Sequence, residues 1–275
     1  MLKVNIFDTN FSHSFSEDGF YTASAGRKPK KIEYVQRLMK YDGVTIFTDE
    51  QIFSNEVDLV KSKYKVAWCQ ESPAIKPFVY ENITKVENKF DFILTFHPEL
   101  LKRSSKYKKI LIGSSRVRDE DWNVCEKTKQ VSLIASTKMS APGHILRHKI
   151  AGNCKGIDLW GSGYKNFVNK TEPLKDYMFT IAIMNYNIDN YFTEILVDCF
   201  ALGVIPVFWG TPNIGEYFNV SGMILFSSIE ELSNIKLKKE DYYNRLEYVK
   251  ENFEIAKKFS STDDIIADTI LNCIQ

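Results

Sequence analysis

Apolar residues in this chain fall into short, unbroken runs, separated by longer stretches in which they recur at helical spacing. Runs at 4–7, 44–47, 64–68, 92–96 and 110–112 predict strands in the first half. Runs at 131–135, 157–160, 179–184, 204–208 and 223–226 predict strands in the second. Apolar runs without polar alternation belong to strands covered on both faces, as in a parallel sheet. Helices are predicted between them. One opens at Pro29 and carries Ile32, Val35, Leu38 and Met39 on one face; others cover 56–63, 98–102, 143–151 and 229–234. Proline suits a helix start because its missing N–H has no helical partner there. Two long amphipathic stretches, 241–258 and 264–273, close the chain, the second behind a Ser-Ser-Thr-Asp cap. Strand and helix alternate throughout, which predicts an α/β fold on parallel sheets.

The stretch 177–210 is the most informative. An apolar strand is followed by a polar loop from Asn185 to Asn190, full of turn-forming residues. A helix comes next, capped by Thr193 or Asn190, with Ile195, Leu196, Cys199, Phe200 and Leu202 at helical spacing and Gly203 at its end. The strand that follows has Pro206 near its start, where a lost donor is tolerated. Such a βαβ unit is right-handed by rule. It sets the loop and the helix start at the carboxyl edge of the sheet, where free N–H groups and the helix dipole attract phosphate. Elsewhere, 10–26 is rich in Ser, Asn and Gly and predicts a long loop, of a length often functional. The polar stretch 113–130 predicts a domain boundary, with domains at 1–125 and 126–275, the second taking the closing helices.

Composition narrows the partners. With 44% hydrophobic and 26% charged residues the chain is ordinary globular protein, and a net charge of +1 argues against a nucleic-acid-binding surface. No apolar run is long enough to span a bilayer, so stable membrane insertion is not expected. The N-terminus reads as a strand and not as a signal peptide. Cys69, Cys125, Cys154, Cys199 and Cys273 are odd in number and widely spaced, which points to reduced thiols and a cytoplasmic protein. No grouping of His and carboxylates near the 185–190 loop has metal-ligand spacing.

Within 177–210, Asn185, Tyr191, Thr193, Glu194, Leu196, Gly203, Pro206, Val207 and Gly210 match, in order and spacing, a pattern of Asn, then Tyr-x-Thr-Glu-x-Leu, then Gly-x-x-Pro-Val and Gly. In these residues the chain resembles the donor-binding segment of the α1,3-fucosyltransferases, glycosyltransferase family 10. Met184 and Ile195 depart, standing where that family has Glu and Lys. The resemblance covers about 131–235 well. In the first half it rests on Trp68 to Pro73, which contains Glu-Ser-Pro, and on the strand from Phe90 to Thr95.

The resemblance implies a GT-B fold, two Rossmann-like domains facing a cleft with long C-terminal helices. It implies an inverting transfer of fucose from GDP-fucose to a glycan hydroxyl, such as a sugar of a lipopolysaccharide or surface polysaccharide, with no cofactor required beyond the GDP-sugar donor. Such chemistry needs cationic or N–H donors for a leaving diphosphate and a base for the acceptor hydroxyl. Glu71, just past a strand and held out of any helix by Pro73, is the candidate base. Arg147, on the first helix of the second domain, is the candidate diphosphate ligand, because its planar fork matches phosphate oxygens. Ser136 and Lys138 precede it in a strand-to-helix loop. Gly161 and Gly163 follow a strand and allow close backbone approach to a ligand. Asn185, Tyr191 and Thr193 are candidates for donor hydrogen bonds. Glu194, in the first turn of the helix that ends at Gly203, is a candidate acceptor from ribose or sugar hydroxyls. His144 and His148 read as structural. Two alternatives remain at this point: a different nucleotide sugar, or a nucleotide- or carbohydrate-binding protein that has lost transfer.

Overall fold

A computed structural model describes residues 1–8, 22 and 27–274. The loop expected over 10–26 lies outside the described residues apart from Thr22. The chain divides into two compact units, Met1–Ile112 with Ser261–Gln275, and Gly113–Ser260.

The first unit is built on strands β1 (Leu2–Phe7), β2 (Ile32–Gln36), β3 (Lys40–Thr48), β4 (Lys61–Trp68), β5 (Phe92–Thr95) and β6 (Tyr107–Lys109). They lie in the order β2-β1-β3-β4-β5-β6, every pair parallel. Alternate residues face opposite sides of a strand, and the core follows that rule. Helices α1 (Glu56–Leu59), α2 (Pro77–Val86) and α3 (Pro98–Arg103) place Val57, Val79, Ile83 and Leu100 against Phe47, Ala67 and Ile93. On the other face, the last helix, α9 (Thr262–Ile274), packs Ile266, Ala267 and Ile270 against Val4, Ile46 and Val66. Its Asp264 carboxylate accepts the N–H groups of Lys30 and Lys31 at 2.8 Å each.

Three expectations are corrected here. The helix predicted from Pro29 is strand β2. Ile32 and Tyr34 are buried at alternating positions, whereas Leu38 and Met39 are 42% and 45% exposed, so burial follows period two. The last strand of this sheet is Tyr107–Lys109, just before the predicted 110–112. The closing helices do not all belong with the second unit: the boundary falls at 112/113 instead of 125/126, and α9 returns to the first sheet. An amphipathic pattern shows that a helix has an apolar face but not which sheet receives it.

The second unit carries β7 (Lys129–Ile134), β8 (Asp158–Trp160), β9 (Tyr177–Ile183), β10 (Ile205–Trp209) and β11 (Ile224–Leu225). Their order is β11-β10-β9-β7-β8, again parallel throughout. Counted from its own first strand, this is the same 2-1-3-4-5 order that opens the first sheet. β9 is buried at every position, as its unbroken apolar run predicts. Its helices are α4 (Pro142–Asn153), α5 (Glu194–Ala201), α6 (Ile229–Asn234), α7 (Lys239–Asn244) and α8 (Leu246–Ala256); the predicted 241–258 helix is thus divided between α7 and α8. Ile150, Leu232, Tyr242 and Val249 of these helices pack on Val131, Ile181 and Val207.

Helix α5 ends as the sequence predicts, with Gly203 in the left-handed region at φ 68°. The buried Lys127 ammonium donates to Leu202 O at 2.6 Å and Lys175 O at 2.9 Å, placing a cation at the helix C-terminus. Burial weakens Lys127 as a base, to about 8. All five cysteines are free thiols, with Cys69 and Cys199 buried. Among the described residues, no helix is long and apolar enough to cross a membrane.

Candidate functional site

In each sheet the chain leaves the first strand to one side and later continues on the other. The crevice at such a switch, at the carboxyl ends of the strands, is where open α/β sheets bind ligands. In the second unit the switch lies between β7 and β9, and most of the predicted donor-side residues come from the segments that follow these two strands.

The segment after β7 carries Ser136, whose Oγ accepts the Lys138 N–H at 3.3 Å, and leads into α4. Helix α4 starts directly on the end of β9. The Gly143 N–H donates to Asn185 O at 3.0 Å, and a Cβ on Gly143 would stand 1.8 Å from Met184 O. No side chain fits there, so glycine is what lets the helix approach. Arg147 follows one turn on. Its guanidinium donates to Ile183 O and to Asn185 Oδ1, the latter at 3.2 Å. Burial lowers its pKa, while the charges of Glu194 and Tyr191 oppose that shift. His144 is buried beside it, with Ser140 Oγ 3.4 Å from Nδ1; burial first, then Arg147, lower its basicity. His148 Nδ1 lies 3.1 Å from the Tyr164 hydroxyl.

Gly161 and Gly163 divide in role. Gly161 has φ 110°, and a Cβ there would stand 2.0 Å from Ala135 O. Glycine is required at this position by a neighbouring strand end. Its N–H donates to Lys165 O at 2.8 Å and is therefore engaged within the protein. A Cβ on Gly163 would meet nothing nearer than the Thr137 methyl at 3.4 Å, so nothing in the backbone demands glycine there.

After β9 the two departures from the fucosyltransferase pattern become intelligible. Met184 is fully buried, and its sulfur accepts the Thr193 N–H at 3.3 Å. A thioether, a weak acceptor, thus occupies the start of α5 where that family has a carboxylate. Thr193 stands at the N-cap as predicted, but its hydroxyl caps no helix N–H. Ile195 is 8% exposed, a core residue, so its apolar character suits where it sits. Asn190, in the left-handed region at φ 61°, pins the loop. Its N–H donates to Asn213 Oδ1 at 2.9 Å, and its Oδ1 accepts Asn213 Nδ2 at 3.0 Å and the Tyr217 hydroxyl at 2.5 Å. Tyr191 is buried at 2% exposure, with its carbonyl accepting the Thr211 hydroxyl.

Glu194 opens α5. Lys170, from the segment between β8 and β9, brings its ammonium to 3.9 Å from Glu194 Oε1 and 3.9 Å from Asp198 Oδ2. Burial alone would raise the pKa of Glu194, but Lys170, Arg116 and Arg147 together hold it below the usual range. Asp198 is fully buried. Ser115 Oγ and the Arg116 N–H donate to its Oδ1 at 2.7 and 2.8 Å, and burial pushes its carboxyl up to about 6 despite Lys170. Sequence reasoning missed both Lys170 and Asp198. The available signal was a lone acid within the apolar Ile195–Ala201 run.

In the first unit, Glu71 lies three residues beyond β4. Its backbone is held from both sides. Asp49 Oδ1 accepts the N–H groups of Gln70 at 2.9 Å and Glu71 at 3.3 Å, and the Tyr80 hydroxyl donates to Glu71 O at 2.5 Å. Asp49 directly follows β3, in the left-handed region at φ 42°, and is buried. Burial pushes its carboxyl up to about 7, although the two N–H donors pull the other way. Asp49 was also missed; only its place after a strand hinted at it. Among the described residues no group of three or more His, Cys, Asp or Glu stands together as a metal would require.

No family model matches the chain. Among curated proteins, a "Putative fucosyltransferase-like protein" of Arabidopsis thaliana is 38% identical over 72 residues, 25% of this chain and 14% of that protein. "Alpha-(1,3)-fucosyltransferase FucT" of Helicobacter pylori is 34% identical over 62 residues, 22% of this chain and 13% of that protein. These matches therefore span about one seventh of each relative's length. Among solved structures, an α1,3-fucosyltransferase aligns over 100% of this chain and 89% of its own, with a TM-score of 0.54 and 17% identity. The same enzyme name recurs in a complex with GDP-fucose, at TM-score 0.53 and 15% identity. An α-glucosyltransferase in complex with UDP and a DNA 13-mer aligns at TM-score 0.54 and 13% identity. The chain is fucosyltransferase-like in local sequence and in fold. Its two units share the Rossmann-like fold of the solved glycosyltransferases with which the chain aligns, the GT-B fold that the resemblance in its sequence implies.

Proposed function

We propose that this protein transfers a sugar, fucose from GDP-fucose, to a hydroxyl of a glycan acceptor such as a lipopolysaccharide or surface polysaccharide sugar, with inversion. The observation that carries the reading is the gathering of Arg147, Asn185 and Glu194 at the β7/β9 switch, on the segment that matches fucosyltransferases in sequence. In this reading Arg147, with Lys138 and Ser136 on the loop ahead of it, binds the diphosphate. Glu194 accepts hydroxyls of ribose or sugar, and Asn185 orients Arg147. Tyr191 and Thr193 shape the loop around the donor, Gly161 keeps the neighbouring turn closed on Ala135, and Gly163 leaves its backbone open to the donor. The bond from the sugar anomeric carbon to the diphosphate oxygen breaks, the acceptor oxygen bonds to that carbon from the opposite side, and Glu71 takes the acceptor proton. GDP leaves carrying the electron pair.

A thermal-shift panel of GDP, UDP, CMP and ADP tests the donor. GDP is expected to stabilise most; a ligand present at 100 times its Kd adds about 2.7 kcal/mol. Turnover of GDP-fucose with a panel of glycans then tests transfer. A larger shift with UDP would overturn the fucosyl assignment. It would favour a second reading, a transferase of another nucleotide sugar, which the departures at Met184 and Ile195 and the equal fold match to a UDP-bound glucosyltransferase support. Binding without turnover would favour a protein that keeps the site and has lost transfer.

A further inference from the structure

We propose that Lys170 is a positioning residue of the donor site, fixing the Glu194 carboxylate at the start of α5 and itself anchored by Asp198. The inference rests on the reading of Glu194 as a donor ligand. Glu194 and Asp198 are four residues apart and so share one helix face. Both are carboxylates, and α5, Glu-Ile-Leu-Val-Asp-Cys-Phe-Ala, brings no cation of its own. Two like charges so close, with Asp198 at 0% exposure, need a counter-charge from elsewhere. Lys170 provides it. Its side chain is 9% exposed, its ammonium is equidistant from the two carboxylates, and it lies 6.0 Å from the Phe167 ring centroid.

A detail of Asp198 shows which partner is the anchor. Its Oδ1 is fully engaged by Ser115 and Arg116, whereas its Oδ2 is buried without a hydrogen-bond partner. At 3.9 Å, Lys170 faces that oxygen as an ion pair and not as a hydrogen bond. Asp198 is fixed by the protein behind it and attracts the lysine inward. Glu194, at 27% side-chain exposure, is the member of the trio with access to a ligand. Lys170 therefore acts on the donor through Glu194.

The test begins without ligand. Carboxyl 13C resonances are titrated in wild type, Lys170→Met and Lys170→Arg, with Glu194→Gln identifying the Glu194 signal. Lys170→Met is expected to raise the pH at which Glu194 titrates by about one unit or more, and Lys170→Arg to restore it. Should Lys170→Met fail to fold, the double variant Lys170→Met/Asp198→Asn removes the buried charge left behind, and the same upward shift is expected. An unmoved Glu194 titration in either folded variant overturns the proposal. GDP affinity supplies the second readout. Lys170→Met and Glu194→Gln should each weaken it roughly 10-fold, and the two together no more than either alone, because residues acting as a unit are not additive. Losses that multiply in the double variant would show that Lys170 acts on the nucleotide independently of Glu194, which also overturns the proposal. If wild type binds no guanine nucleotide, the donor reading falls, while the titration still decides whether Lys170 governs Glu194.

Discussion

The two units share a strand order and differ in the charge they present at its carboxyl edge. The first sheet ends in acids: Asp8 after β1, Asp49 after β3 and Glu71 after β4. The second ends in cations and amides: Lys138 after β7, Arg147 on α4 and Asn185 after β9, with Glu194 and Asp198 sharing the Lys170 ammonium. The comparison shows that topology selects where chemistry is placed and side chains select which. In the proposed reading, one edge accepts a proton from a hydroxyl and the other holds a polyanion. Each edge also carries one buried carboxylate raised by desolvation: Asp49, at about 7, accepts the Glu71 N–H, and Asp198, at about 6, faces the Lys170 ammonium that also stands beside Glu194.

The largest expected effect separates the two edges by function. Glu71→Gln keeps shape and removes the base, so turnover is expected to fall by roughly 10²–10⁴-fold while GDP affinity stays near wild type. Near-normal turnover in steady-state assays would remove the proton-accepting role from the first edge. Next is Arg147→Ala, which should weaken GDP binding by about 2–5 kcal/mol, as truncating one partner of a desolvated charge pair does. Calorimetry on a folded variant checks this, and unchanged affinity would mean that the guanidinium only ties α4 to β9. The last effect concerns stability alone. A carboxyl whose folded pKa lies above its unfolded value loses stability as pH rises through that range. Wild type should therefore lose stability on Asp49 between about pH 4 and pH 7. Asp49→Asn still accepts the N–H groups of Gln70 and Glu71 and removes this slope. It is expected to be about 4 kcal/mol more stable than wild type at pH 8, and equal to it below about pH 4. Urea unfolding across pH measures the difference; a constant offset would place the cause outside the Asp49 charge.

Legibility from sequence followed the physics of each signal. The βαβ unit around 177–210 was readable in detail, because β9 is apolar at every position, Gly203 has one conformational purpose and the loop is rich in turn formers. Strand β2 was misread because four apolar residues fit a helical period by coincidence while only Ile32 and Tyr34 enter the core. Helix α2 was not foreseen at all. Local pattern was enough to single out Arg147 and Glu194 as candidates, and the structure sets them beside the end of β9 and at the start of α5 respectively. Local pattern was not enough where the partner is distant in the chain: Lys170 meets Glu194 across 24 residues, and Asp49 meets Glu71 across 22. Close packing was hidden too, since nothing in the order of residues tells that Gly143 rests on Met184 or that Gly161 is held by Ala135.

The return of α9 to the first sheet has a consequence for biosynthesis. The ribosome delivers every strand of that sheet early, yet the helix that covers Val4, Ile46 and Val66 emerges only after the whole second unit. The second unit, wholly enclosed between 113 and 260, has all its parts before then. The second unit can thus mature on the nascent chain while one apolar face of the first stands open, until α9 has followed it out of the ribosome.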